Sequence, residues 1–138
     1  MKSRTVLQSY DDHLDDRIWL VEEASTGVPV GAVYEMIGST HLNKEFFARI
    51  LNISTKTLDR HRLAARRLSP AGSEMILKLH ALFKKGEEIF GNQEEFQKWI
   101  DRPAYGLGSK IPKNMIQTSS GIDLVIDELT RIEFGDLA

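Results

Sequence analysis

Apolar positions along this chain recur at intervals of three and four, and no stretch alternates as a half-buried strand would. The first dozen residues carry little pattern and read as a loose arm, residues 1–13. Leu14, Ile18, Leu20 and Val21 then predict a helix ending near Gly27, and Pro29 sits in the first turn of a short second helix that runs to Gly38. Its stripe is Val30, Val33 and Ile37. Asn43 caps a third helix with Phe46, Phe47, Ile50 and Leu51 inside, and Asn52 can take the left-handed conformation that stops it. After a turn at Ile53, Ser54 caps a helix through Thr55, Leu58 and His61 to about Ala65. The pair Ser69 and Pro70 opens the longest helix, whose buried side is Ile76, Leu79, Leu82, Phe83 and Phe90.

Past Gly91, Asn92 and Glu95 have the spacing of a capping box ahead of Phe96, Trp99 and Ile100. Pro103 breaks that helix, and Tyr105 to Pro112 reads as a turn-rich loop. Ser120 caps a final helix carrying Ile122, Val125, Ile126, Leu129 and Ile132, which Gly135 ends. The expected fold is therefore all-α, without repeats. It comprises the arm, a helical domain over residues 14–90 and a small helical domain over residues 91–138.

Composition narrows the chemistry. With 41% hydrophobic and 28% charged residues the chain has the balance of a soluble globular protein rather than a disordered tail. Absence of cysteine excludes disulfides, thiolate metal sites and thiol nucleophiles, and points to a reducing compartment. No apolar run is long enough for a membrane span and no secretory signal is recognisable, so a cytoplasmic location with no membrane partner is expected. Net charge is -2 overall, but it is unevenly laid down: residues 1–40 carry -4, residues 41–85 carry +7 and residues 86–138 carry -5. A basic middle between acidic ends fits a segment that meets a polyanion.

Spacing within the basic block sharpens this. A helix-turn-helix needs a small residue in the middle of its first helix and a tight turn four residues later. Ala48, Asn52, Ile53, Ser54 and Leu58 fill those places. The second helix would present Thr55, Lys56, Thr57 and Arg60 to phosphates and base edges, with Arg62, Arg66 and Arg67 extending the phosphate contact. Asn52 stands where glycine is usual, His61 where an apolar residue is commoner, and Asp59 repels phosphate. The competing reading is a packing motif that no longer touches DNA.

Taken together, the two helical domains resemble the Xre/MbcA/ParS antitoxins, which join an Xre-like helix-turn-helix to a C-terminal toxin-binding domain. On the N-terminal side the similarity lies in Leu20 to Ser25 with Gly27 and Pro29, in Ile53, Ser54, Thr57 and Leu58, and in Leu68 to Pro70. On the C-terminal side it lies in Phe90, Gly91, Trp99, Ile100, Pro103, Leu107, Gly108, Pro112, Gly121 and the closing run Arg131 to Gly135. Ala104 stands where the family usually has asparagine, and Ser109 replaces a second glycine. The resemblance implies a homodimer without cofactor or catalysis that neutralises a RES-domain toxin, an NAD-consuming or ADP-ribosylating enzyme, and represses their shared operon at operator DNA. It further implies that the C-terminal domain covers the toxin's active-site entrance. Arg131, Glu133, Phe134, Asp136, Leu137 and Ala138 are the expected toxin-binding residues. Packing of Phe134 and Leu137 against Trp99 is the plainer alternative for that tail.

Other motifs lead nowhere. Asp11, Asp12, Asp15 and Asp16 spell an acidic box that would need a far larger helical cavity to hold magnesium for catalysis. Gly106, Gly108, Ser109 and Lys110 lack both the glycine spacing and the preceding strand of a phosphate loop. His13, His41, His61 and His80 are scattered, so no metal site or catalytic set is expected. The remaining functional alternative is a stand-alone helix-turn-helix transcriptional regulator.

Overall fold

A computed structural model describes residues 4–135. Among them are eight α-helices and three short 3-10 turns; the extended backbone consists of isolated bridges only. The chain divides into two units, and the division falls inside the long helix, between Leu77 and Lys78. The sequence pattern puts that boundary after residue 90. It lies earlier because the second half of the long helix packs with the elements C-terminal to it: Phe83 meets Phe96 edge-on, and Lys78 and Lys85 pair with Asp123 and Glu133 at 3.0 and 3.3 Å.

The first unit holds α1 (Val6–Ser9), a 3-10 turn (Asp11–His13), α2 (Arg17–Thr26), α3 (Gly31–Ser39), α4 (Lys44–Ile50), α5 (Thr55–Leu63) and the start of α6 (Pro70–Phe90). Residues 5–13, expected as a loose arm, are ordered instead. Thr5 and Gln8 form a reciprocal capping box, and the Glu35 carboxylate on α3 accepts the Val6 and Leu7 amides at 3.0 and 2.9 Å. An anion at a helix N-terminus satisfies donors that have no intrahelical partner. Leu7 and Tyr10 are buried.

Asp16 caps α2 by accepting from the Ile18 and Trp19 amides, and Asp12 lies 3.9 Å from Arg4, so two members of the acidic box have local roles. The apolar residues that predict α2 do not all face inward. Ile18 and Val21 are 72% and 68% exposed, while Ala24 is the buried position. The Trp19 ring lies edge-on to Tyr10 and stacks on His13 instead. Between α2 and α3, Val28 and Val30 pair with Leu68 and Arg66 through backbone bonds of 2.8 and 2.9 Å. The buried Ser73 hydroxyl accepts the Val28 amide at 2.8 Å, leaving no orphaned donor there. Val33, Met36, Phe47, Leu58 and Ile76 are almost fully enclosed and form the heart of the unit.

Burial and the neighbouring Glu23 carboxylate push the Tyr10 hydroxyl up to about 12. Burial and a hydrogen bond to Asp59 push Tyr34 to about 12 as well. Both groups fold better neutral, so their contribution is complete below the unfolded tyrosine value near 10 and is lost as pH rises toward 12. Melting temperature is expected to fall across that window. Tyr10→Phe should flatten the fall if the account is right; an unchanged profile would refute it.

The second unit holds the rest of α6, α7 (Gln93–Ile100), 3-10 turns at Tyr105–Leu107 and Pro112–Met115, and α8 (Ser119–Glu133). Its enclosed residues include Leu79, Leu82, Phe96, Ile100, Ile116, Ile122, Val125 and Leu129. Asn92 caps α7 by accepting the Glu95 amide at 2.8 Å, but the Glu95 carboxylate turns to Lys98 at 2.9 Å, so only half of the expected capping box forms. The cap of α8 is Thr118 rather than Ser120, and its hydroxyl accepts the Gly121 amide.

Candidate functional site

The helix-turn-helix is built by local chemistry. Asn43 accepts the Phe46 amide at 2.9 Å to start α4, and Asn52 ends the segment with φ +57. Short polar side chains tolerate that left-handed backbone, which explains how asparagine serves where glycine is usual. The Ile53 amide reaches back to the Ala48 carbonyl at 3.0 Å, and Ser54 starts α5 by accepting the Thr57 amide at 3.0 Å. Ala48 and Leu58 are buried, as tight packing of the two helices requires.

Asp59, read from sequence as a repulsive charge, works as a clamp. The Tyr34 hydroxyl on α3 donates to it, and Lys44 on α4 lies 3.1 Å away. Those two hydrogen bonds hold its carboxyl below the ordinary aspartate range. Three helices are thereby tied at one carboxylate, and Lys44 offsets its charge.

The seven predicted DNA-facing residues divide by what they touch. Lys56 and Arg60 are exposed one turn apart on α5, and Arg60 reaches the Thr57 hydroxyl at 3.4 Å. Thr57 also receives the Ser54 hydroxyl, so it belongs to the cap as well as to the surface, and Thr55 is half-buried. Arg62 lies over the Tyr34 ring at 4.1 Å, a cation–π contact that fixes its guanidinium. Arg66 lies 3.2 Å from the His61 ring, while Arg67 donates to the Gly27 carbonyl at 2.6 Å and braces the segment before α3.

In the second unit Arg131 donates to Glu128 at 2.8 Å, and Glu133 accepts from Lys85. Phe134 is 78% exposed, while Trp99 stacks on Phe90 and Phe96. Packing of Phe134 against Trp99 is therefore not what the chain does. Asp136, Leu137 and Ala138 lie outside the described residues. Sequence reasoning passed over two exposed side chains of this unit, Tyr105 at 78% and Leu124 at 50%. Leu124, Glu128 and Arg131 follow the helical spacing of one face of α8, a periodicity readable in the sequence, where only Arg131 is assigned to a partner.

Comparison with known proteins now bears on both units. Residues 20–79 match the antitoxin Xre-like helix-turn-helix domain, and residues 85–135 match the antitoxin Xre/MbcA/ParS C-terminal toxin-binding domain. The chain belongs to the Xre/MbcA/ParS antitoxin family. A protein named Antitoxin Xre from Yersinia enterocolitica is 27% identical over 113 residues, covering 78% of this chain and 76% of the relative. Another of that name from Photorhabdus laumondii subsp. laumondii is 26% identical over 110 residues, covering 79% and 74%. In this Xre-family antitoxin all seven candidate DNA contacts fall inside the helix-turn-helix match, and Arg131, Glu133 and Phe134 fall inside the toxin-binding match. No described helix is long and apolar enough to cross a membrane.

Two departures from the family pattern have a structural account. Ser109 keeps φ +61 directly after Gly108 at φ +64, so the backbone that a second glycine would give is retained in strained form. Ala104 is buried, with its amide bonded to the Lys110 carbonyl at 2.9 Å, which leaves that position closed to solvent.

Proposed function

We propose that this antitoxin acts in the cytoplasm as a homodimer, neutralises a RES-domain toxin by covering its active-site entrance with the C-terminal domain, and represses the shared operon through its helix-turn-helix. Its role is binding rather than catalysis. The observation that carries the reading is the pairing, in one chain, of a capped helix-turn-helix bearing exposed Lys56 and Arg60 with a separate unit matched to a toxin-binding domain. The test is to purify the chain with the RES-domain toxin encoded beside it and follow NAD. Toxin-driven NAD loss should stop when the full chain is added and resume when it is truncated after Thr130. Leu129 is the last fully enclosed residue of α8, so that truncation keeps the enclosed apolar residues while removing the Arg131 partner of buried Glu128. Full protection by the shortened chain would remove the C-terminal segment from the inhibiting surface.

The outer face of α2 supports the dimer. Arg17, Ile18, Val21 and Glu22 share one exposed side of the helix. Antiparallel pairing with a second copy, about a twofold between residues 19 and 20, sets Ile18 against Val21 and Arg17 against Glu22 at once. Such self-complementarity is what an isologous contact demands. Ile18→Glu is expected to convert a two-chain species into single chains in sedimentation velocity; an unchanged species would exclude this face.

A further inference from the structure

The Tyr105 loop in the second unit is unusually well clamped for a segment without a long helix. The Ala104 amide bonds the Lys110 carbonyl at 2.9 Å, and the Ser109 amide returns to the Ala104 carbonyl at 3.0 Å. Ala104 and Leu107 are its buried feet, at 5% and 8% exposure. Gly106 rests directly on Glu128: a Cβ at that position would lie 1.8 Å from the Glu128 carboxylate. Glu128 is itself 5% exposed and is held at 2.8 Å by the Arg131 guanidinium. Backbone in the left-handed region at Ser109 persists only where surrounding structure determines it.

All this order serves a side chain that the fold does not use. Tyr105 points its ring into solvent at 78% exposure from the middle of the clamp. A large aromatic on a preorganised backbone loses little freedom on binding, and such residues dominate the energetics of protein interfaces. The loop lies wholly within residues 85–135, matched to a toxin-binding domain, and Glu128 connects it to Arg131 of the proposed inhibiting surface.

We propose that Tyr105 is an anchor residue of the toxin-binding surface, inserted into an apolar recess on the toxin beside the Arg131 contact, with Glu128 as the positioning residue that seats the loop under Gly106. This rests on the toxin-binding reading above and adds to it a residue outside the last helix and tail. The surface is then discontinuous in sequence, with the loop supplying the aromatic anchor and α8 the charge.

The experiment is calorimetric titration of the adjacent RES-domain toxin with the full chain and with Tyr105→Ala, Tyr105→Phe and Gly106→Ala. Tyr105→Ala should weaken binding about 30-fold or more while the free protein melts as before, since the ring is exposed. Tyr105→Phe should restore most of the affinity if the ring is what binds. Gly106→Ala keeps Tyr105 but pushes Glu128 off its seat, and should also weaken binding. If the full chain does not bind the toxin, the toxin-binding reading falls and this inference with it. If the full chain binds and Tyr105→Ala stays within twofold, only the anchor role is overturned.

Discussion

Gly121→Ala is expected to destabilise the protein by about 3 kcal/mol, lowering the melting temperature by roughly 10 °C. Gly121 sits in the first turn of α8, immediately after the Thr118 cap, and is buried. A Cβ added there would lie 1.7 Å from the Met115 carbonyl oxygen and 2.9 Å from its carbon. Both are backbone atoms at the end of the 3-10 turn that precedes the helix by three residues, so relief needs the main chain to move. That movement would draw the adjacent Ile116 and Ile122, both fully enclosed, out of the core. Gly38→Ala is the control. Nothing lies within 4 Å of the point its new methyl group would occupy, and alanine within α3 should instead stabilise by about 0.5–1 kcal/mol. Thermal melts of the two variants moving in the same direction would invalidate the close-approach account.

The combined Lys56→Ala and Arg60→Ala substitution is expected to weaken binding to DNA from the chain's own upstream region by about 2–6 kcal/mol. The two side chains are exposed one turn apart beside the Ser54 cap, where α5 can present them to the duplex. If both meet phosphate or base edges, the slope of log affinity against log salt should also become shallower by about two. Arg67→Ala provides the contrast. Its guanidinium is spent on the Gly27 carbonyl, so its loss should register in stability rather than mainly in the salt slope. Unchanged affinity and slope in the double variant would take DNA recognition away from α5.

Where polar capping residues and period-three-to-four apolar spacing coincide, the amino-acid order reads most helix ends, although the cap of α8 falls on Thr118 rather than Ser120. Asn43, Asn52, Ser54, Pro70 and Asn92 all mark ends or starts as expected, because the bonds involved span only three or four residues. What could not be read depends on distant partners. The helix at Val6–Ser9 is anchored by Glu35, and the clamp on Asp59 joins residues from three helices. Neither leaves a local pattern. In α2 the helix and its end at Gly27 are legible but its inner face is not. Periodicity reports that Ile18 and Val21 share a face, but not whether that face meets the core or the outside, and here Ala24 takes the inner place.

The candidate site shows the same division. Exposure of Lys56 and Arg60 follows from the helix-turn-helix register, whereas the intramolecular engagements of Arg62 and Arg67 require the fold. In the second unit the resemblance directs attention to the final helix and tail. Tyr105 stays hidden because aromatic residues in short loops are usually read as packing, and only its exposure shows otherwise.

The sealed seat beneath Gly106 has an evolutionary implication. With the main chain of that loop resting against a buried carboxylate and its two feet sunk in the interior, the exposed side chain at 105 can be exchanged for another at almost no folding penalty. A side chain at 106, by contrast, would have to displace the Glu128 carboxylate. Divergence between cognate pairs can thus proceed by swapping one outward group on a fixed pedestal, leaving the scaffold that carries it untouched.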